Sequence, residues 1–84
     1  MSGKHRIEIW GALRPFADGA PFVLVEAQTI GELFSELSQK YPGMAPQIER
    51  GVAVSIDGVI HRDQWDAKLP QGAEIYVMPR LAGG

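Results

Sequence analysis

The stretch that decides the fold is TIGELFSELSQKYP, residues 29–42. Thr29 and Glu32 have the spacing of a capping box, in which the hydroxyl accepts the amide three residues on and the Glu side chain reaches back. Pro42-Gly43 ends the helix, because proline disfavours helical geometry at the residue before it and glycine tolerates a left-handed cap. The helix has a single apolar stripe, so it needs a sheet to lie on. That stripe consists of Ile30, Leu33, Phe34, Leu37 and Tyr41.

Period-two alternation of apolar residues predicts strands on both sides of this helix. In the first, Ile7 and Ile9 alternate with Arg6, Glu8 and Trp10. The dipeptide at 57–58, Asp-Gly, is a strong signal for a two-residue hairpin turn, which predicts a short additional strand at Val59 and Ile60. The predicted strands are residues 6–13, 22–27, 52–56 and 74–78, with a short arm at 59–60.

Two stretches break the strand pattern. Residues 14–21 contain two prolines and an Asp-Gly pair, which predicts a turn region. Residues 61–72 are irregular; within them, 69–72 suit a type I turn with Pro70 in second position. Trp65 is expected to pack this irregular segment onto the edge of the core.

The order strand, strand, helix, strand, arm, strand is that of an α+β roll. The first and last strands are expected to lie side by side as a parallel pair, with the helix across one face, as in ubiquitin. The prediction is a β-grasp fold with a mixed sheet of four to five strands and one main helix, spanning residues 1–80, followed by a flexible tail at 81–84. The core residues expected to meet the helix are Ile7, Ile9, Phe22 or Val23, Leu24 or Val25, Val54, Ile56, Leu69, Ile75 and Val77.

Composition excludes several classes of function. The 84 residues contain no cysteine and two histidines, so neither thiolate nor histidine metal sites are expected. The net charge is −2 and the basic residues are scattered singly, which disfavours nucleic acid as a partner. No apolar run approaches the ~20 residues that span a bilayer, and the N-terminus lacks the apolar segment of a signal peptide. A cytoplasmic protein with no membrane partner is expected.

Three segments resemble the MoaD/ThiS family of sulfur carriers, and more closely its MoaD branch. They are the opening IEIWGALR (residues 7–14), the helix, and the end LPQGAEIYVMPRLAGG (residues 69–84). The last segment is the specific one: a Gly-containing turn, a hydrophobic strand, Pro79, and then Gly83-Gly84. The family commonly has a second proline where this chain has Arg80, which adds a cation to the tail.

The tail suits a reacting carboxyl group. Gly83 and Gly84 have no side chains, so the tail can thread a narrow channel and leave the Gly84 carbonyl open to attack. A carboxylate is a poor acyl donor and needs activation, for which ATP is the usual reagent. The sequence lacks a Gly-rich loop followed by Lys that would hold ATP phosphates, so a partner must carry out this step. Leu81 is expected to be an apolar anchor, and Pro79 to stiffen the exit from the sheet.

The resemblance implies both the reaction and the partners. A ubiquitin-activating-type adenylyltransferase (MoeB/ThiF-like) would use ATP to adenylate Gly84, and a sulfur donor would convert it to a thiocarboxylate. The sulfur would then pass to a pterin precursor on the large subunit of molybdopterin synthase (MoaE-like). The chain would bind no cofactor and would not be catalytic alone; it would be the small, sulfur-carrying subunit of that synthase.

An exposed apolar patch is expected to dock the partner on the sheet face away from the helix. Trp10, Tyr76 and Met78 share the outward parity of the two strands placed side by side, and Val59 or Ile60 would extend the patch. Pro79, Arg80 and Leu81 follow the patch directly and are expected to take part in docking as well.

Three alternatives remain open at this point. The first is a carrier of sulfur for thiamine-thiazole, cysteine or another thio-product. The second is a ubiquitin-like modifier whose Gly84 forms isopeptide bonds with lysines. The third is a β-grasp interaction module with an idle tail.

Overall fold

A computed structural model describes residues 4–62 and 64–80. Over these residues the chain forms five strands, two α-helices and one 3-10 helix. In chain order they are β1 (His5–Ile9), the 3-10 helix (Gly11–Ala17), β2 (Phe22–Val25), α1 (Ile30–Lys40), α2 (Met44–Arg50), β3 (Val52–Ile56), β4 (Val59–His61) and β5 (Ile75–Pro79). No helix in this part of the chain is both long and apolar enough to span a membrane.

The strands form one mixed sheet in the order β2-β1-β5-β3-β4. At its centre β1 and β5 run parallel, with Ile7 opposite Ile75 and Ile9 opposite Val77. All other neighbouring strands are antiparallel. The β-grasp fold and its central pairing of the first and last strands are therefore confirmed.

The core lies between the sheet and α1. The apolar stripe of the helix is buried at Ile30, Leu33, Phe34 and Leu37, and Tyr41 is partly buried beside it. In β2 the residues facing the helix are Val23 and Val25, which resolves the choice that alternation alone left open. The other strands, and the segment between β4 and β5, contribute the remaining core residues from the sheet side. These are Ile7, Ile9, Val52, Val54, Ile56, Leu69, Ile75 and Val77.

The start of α1 and its end before Pro42 are those that the sequence predicts, but Gly43 is not a left-handed cap, since its φ is −66° and it leads directly into α2. The Thr29 hydroxyl accepts a hydrogen bond from the Glu32 amide at 3.2 Å. The Glu32 carboxylate accepts the amide of Gln28 at 2.9 Å, one residue before the capping threonine. At the other end, the amide of Tyr41 donates to the Leu37 carbonyl, and the helix ends at Lys40.

Two short helical segments were not predicted from the sequence. Residues 11–17 form the 3-10 helix, with Leu13 and Ala17 buried, in place of the end of the first predicted strand (11–13) and the start of the predicted turn region (14–17). Residues 44–50 form α2, in which Met44 is fully buried. Helices this short are marginal on their own and depend on tertiary packing, so their local signal is weak.

The predicted turn before β5 is wrong by one residue. The Ala73 amide donates to the Pro70 carbonyl at 3.3 Å, so the turn begins at Pro70. Gly72 occupies its third position with φ +76°, the geometry of a type II turn. Leu69 is buried and its amide donates to the Gln28 carbonyl at 2.8 Å, directly before the turn.

Candidate functional site

The face of the sheet opposite α1 is uncovered. Tyr76 on β5 alternates with the buried Ile75 and Val77 and is exposed, while Met78 is half-buried on the same face. Trp10 follows β1 directly, and its amide donates to the Val77 carbonyl at 2.9 Å. Its side chain is 51% exposed. The structure therefore brings together the three residues that the sequence places on this face.

Small residues of β3 form a floor between these larger side chains. Ala53 lies opposite Met78, and Ser55 lies between Tyr76 on β5 and Ile60 on β4. Ala53 and Ser55 are buried, although they point away from α1. Large side chains flanking small ones leave a depression, which we call the apolar groove and define by Ala53, Ser55, Ile60, Tyr76 and Met78.

The register of β4 separates the two residues of the predicted arm. Ile60 is opposite Ser55 and therefore lies on the open face. Val59 is opposite Ile56, whose side chain belongs to the core, so Val59 lies on the helix side of the sheet. The register thus places Ile60 in the groove and Val59 outside it.

The chain leaves the sheet beside the start of β3. Pro79 is opposite Val52, and the Arg80 amide donates to the Gly51 carbonyl at 3.2 Å. The backbone is thereby held to its neighbour as far as Arg80. Leu81, Gly83 and Gly84, together with the tail predicted at 81–84, lie outside the described residues.

The other half of the open face is different in character. Arg6 on β1 forms an ion pair with Glu8, and its guanidinium lies 3.9 Å from the centroid of the Phe22 ring on β2. An ion pair and a cation–π contact therefore lie on this half, together with the exposed side chains of Phe22 and Leu24. The groove lies on β5, β3 and β4, next to the exit of the chain.

Comparison with known proteins now identifies the family. The ThiS family model matches residues 7–84, nearly the whole chain. The chain belongs to the ThiS family. This membership, with the fold, places it among the β-grasp sulfur carriers and ubiquitin-like modifiers. No sequence among the curated proteins matches it.

Solved structures share the fold of this ThiS-family chain. The small archaeal modifier protein 1 (SAMP1) of Methanosarcina acetivorans superposes with a TM-score of 0.77 at 21% identity, covering 98% of this chain and 97% of that one. A Pyrococcus furiosus protein described as molybdopterin converting factor, subunit 1, has a TM-score of 0.76 at 18% identity, covering 94% and 100%. A chain of the Amycolatopsis orientalis BexX/CysO complex has a TM-score of 0.71 at 18% identity, covering 94% and 98%.

Trp65 of this ThiS-family chain has the packing role that the sequence predicts. Its ring meets Phe34 edge-on, with centroids 4.9 Å apart and planes at 79°. Its carbonyl accepts the Gly31 amide at 2.8 Å, which ties the irregular segment to the first turn of α1. A Cβ at Gly31 would lie 3.2 Å from that carbonyl oxygen, so the glycine permits the close approach.

The floor of the groove is the part of the site that sequence reasoning missed. Ala53 and Ser55 are the small members of the strand VAVSI, where they alternate with β-branched residues. Small residues at every second position were the available signal for a depression on one face.

Among the described residues, no three His, Asp or Glu side chains lie close enough together to hold a metal ion.

Proposed function

We propose that this ThiS-family chain is a sulfur carrier whose Gly84 carboxylate is adenylated by a partner enzyme and converted to a thiocarboxylate. One observation carries the proposal: the family match runs through residue 84 and so includes Gly83-Gly84. Glycines at this position add nothing to the stability of a fold, since glycine loses the most conformational freedom on ordering. A reactive acyl end explains them.

The chemistry assigns separate tasks to the carrier and its partner. A carboxylate oxygen of Gly84 attacks the α-phosphorus of ATP, pyrophosphate leaves, and an acyl-adenylate forms. A sulfur nucleophile then attacks the Gly84 carbonyl carbon and displaces AMP. The sequence has no phosphate-binding loop, so ATP is bound by an adenylyltransferase of the ubiquitin-activating type, MoeB/ThiF-like. The carrier supplies the acyl group and no acid–base residue.

The apolar groove, with Trp10 beside it, is the surface that docks this enzyme. Exposed aromatic side chains beside a half-buried methionine, grouped next to the exit of the chain, are typical of an interface. The backbone bond from Arg80 to Gly51 keeps the direction of the exit fixed relative to the groove. A docked partner therefore receives the tail in one orientation.

Among sulfur-requiring pathways, we favour molybdopterin synthesis, with a MoaE-like large subunit as the acceptor partner. The likeness to the Pyrococcus furiosus protein and the MoaD-like order of Pro79 and Gly83-Gly84 support this choice. The likeness to SAMP1, whose name describes a modifier, keeps conjugation to lysines as the second candidate. Carriers for thiazole, cysteine or other thio-products use the same first steps.

Intact-mass measurement tests the reaction. After incubation with ATP, Mg²⁺, a MoeB/ThiF-like enzyme and sulfide, we expect a gain equal to one sulfur minus one oxygen. A variant lacking Gly83-Gly84 is the matched control and should keep its mass. An unchanged mass for the full chain refutes the carrier function, and conjugates of higher mass in cells would favour the modifier. Addition of a MoaE-like subunit and the pterin precursor then tests the pathway, since sulfur loss from Gly84 is expected only with the correct acceptor.

Substitution of Trp10 tests the docking surface. Trp10→Glu should weaken adenylation without unfolding the protein, because the side chain is half exposed. Leu24→Glu is the matched control, since Leu24 is similarly exposed, at 46%, but lies on β2 outside the groove. Equal turnover of Trp10→Glu and the unsubstituted chain would remove Trp10 from the interface.

A further inference from the structure

Three arginines surround the point where the chain leaves the sheet. Arg50 ends α2, Arg62 follows β4, and Arg80 follows β5. They line two adjoining cavities, one of about 160 Å³ that holds all three and one of about 330 Å³ that holds Arg50 and Arg80. Both cavities are also lined by Gly51 and Val52 at the start of β3. We call them the arginine cavities.

Two of these arginines have no counter-charge in the described part of the chain. Arg50 and Arg62 are exposed, and neither guanidinium has a hydrogen bond or an ion pair with a described residue. Among the described residues that line these cavities, Glu49 is the one carboxylate. Arg50 and Arg62 thus place two positive charges at this end of the described molecule, which favours an anionic partner there.

The other arginines of the chain are engaged differently. Arg6 is paired with Glu8, and Arg14 donates to the Ile9 carbonyl at 3.1 Å. These contacts give each of them a structural task. Arg50 and Arg62 have no such contact among the described residues, so their side chains are available to bind a partner protein.

The arginine cavities are continuous with the apolar groove. A third, smaller cavity of about 70 Å³ is lined by groove residues Ala53, Ile60 and Met78 together with Arg62 and Arg80. The opposite end of β3 and β5 carries acidic residues, where the Asp57 carboxylate accepts the Glu74 amide at 2.8 Å. An apolar surface with positive charge at one end is electrostatically directional, so it fits a partner in one orientation.

From this arrangement we infer that Arg50 and Arg62 receive Asp and Glu side chains of the protein that takes the tail. The planar guanidinium forms bidentate hydrogen bonds with carboxylates, which fixes orientation as well as adding attraction. The partner is a protein with an acidic rim beside an apolar patch, since the cations border an apolar groove. Its identity as the adenylyltransferase rests on the proposed function.

We expect these arginines to affect the rate at which the carrier and its partner associate. Charged groups at the rim of an interface mainly change the association rate and its dependence on salt, whereas the apolar centre holds the complex. Loss of the two arginines should therefore raise the KM for the carrier and leave kcat nearly unchanged. Groove substitutions, in contrast, should retain the salt dependence.

A binding titration tests the charge chemistry without any enzyme. We would follow backbone amide and arginine Nε–H signals of the ¹⁵N-labelled chain with short poly-L-glutamate and, separately, with inorganic pyrophosphate at equal ionic strength. Poly-L-glutamate should shift Arg50, Arg62, Gly51 and Val52, and the Arg50→Gln/Arg62→Gln variant should lose these shifts. Arg6→Gln is the matched control and should keep them. Shifts with pyrophosphate alone, or none with poly-L-glutamate, would overturn the inference.

A kinetic measurement tests the same residues in the reaction. In ATP–pyrophosphate exchange with the MoeB/ThiF-like enzyme, Arg50→Glu/Arg62→Glu should raise KM about tenfold at low salt, with kcat within about twofold. Added NaCl should raise KM for the unsubstituted chain and should thereby reduce the difference in KM between that chain and the double variant. Arg6→Glu should match the unsubstituted chain, and circular dichroism should show that all variants are folded. A double variant with unchanged KM refutes the acidic partner surface, whereas failure of the unsubstituted chain to exchange would refute the proposed function instead.

Discussion

The two sides of β3 are equally buried for different reasons. Val52, Val54 and Ile56 face α1 and belong to the core. Ala53 and Ser55 face the open side and are hidden only by the larger side chains of adjacent strands. A partner can reach the second set, because its neighbours are exposed and α1 does not cover them. Burial thus marks stability on one side of this strand and a recessed contact surface on the other.

Truncation of a core residue on the helix side should have the largest effect on stability. Leu37 is fully buried on α1, so Leu37→Ala should lower the free energy of unfolding by about 2–5 kcal/mol. Urea denaturation followed by circular dichroism measures this loss. Leu24→Ala is the control on the open face and should cost far less, since Leu24 is about half exposed. Equal losses would contradict the contrast between the two faces.

A second prediction concerns the segment that is tied to α1. Gly31→Val would place a branched side chain against the Trp65 carbonyl, where a Cβ alone lies at 3.2 Å. The loop must move or the helix must shift, at a cost of about 1–3 kcal/mol. Thermal unfolding with tryptophan fluorescence reports both stability and the environment of Trp65.

Gly11 provides the control for this effect. A Cβ there would have no neighbour within 4 Å, so Gly11→Val should change the melting temperature much less. If both variants melt alike, the tight approach of residue 65 to the helix is not important for stability.

Loss of the helix cap should have an intermediate effect. Thr29→Ala removes the acceptor of the Glu32 amide, which should cost about 1 kcal/mol. Thr29→Ser retains a hydroxyl and should therefore keep most of the stability that Thr29→Ala loses. Chemical denaturation of the two variants side by side measures the difference, and identical curves would show that the cap contributes nothing.

The last prediction comes from the groove, and it sharpens the comparison most. Ala53→Glu places a charge on the open face, where no helix covers the sheet and the longer side chain can extend to water, so the domain should stay folded although Ala53 itself is buried. The same charge should nevertheless impair adenylation, because it occupies the floor of the docking surface. Val54→Glu on the helix side should instead unfold the domain, as an unpaired buried charge is very costly. An Ala53→Glu carrier that is adenylated normally would show that the groove is not the contact surface.

The local sequence pattern was sufficient to predict a helix or strand, and its buried face, wherever these depend on that element alone. The apolar spacing of α1, its cap at Thr29 and the alternation of β1 and β5 predicted those elements and the faces of their residues. Such signals are local because a helix or strand with one buried face must repeat its apolar residues at the period of that element. The outward placement of Trp10, Tyr76 and Met78 followed from the same rule.

Features that depend on contacts between distant segments were missed or left open. α2 is short and its Met44 is buried only because the fold covers it. The choice between Val59 and Ile60 required the pairing register of β4 with β3. The turn before β5 begins one residue later than predicted, with the backbone hydrogen bond from the Ala73 amide to the Pro70 carbonyl, which local sequence did not reveal.

The sequence alone therefore determined the class of fold, the faces of its main elements and the glycine pair on which the proposed chemistry depends. Only the tertiary structure decided that β3 has a recessed open side and that Arg50, Arg62 and Arg80 meet around one exit. The physical reason is that periodicity encodes which side of an element is buried. The convergence of residues 50, 62 and 80 depends on how one helix and two strands end beside the start of a third strand, and no local pattern of the sequence specifies this arrangement.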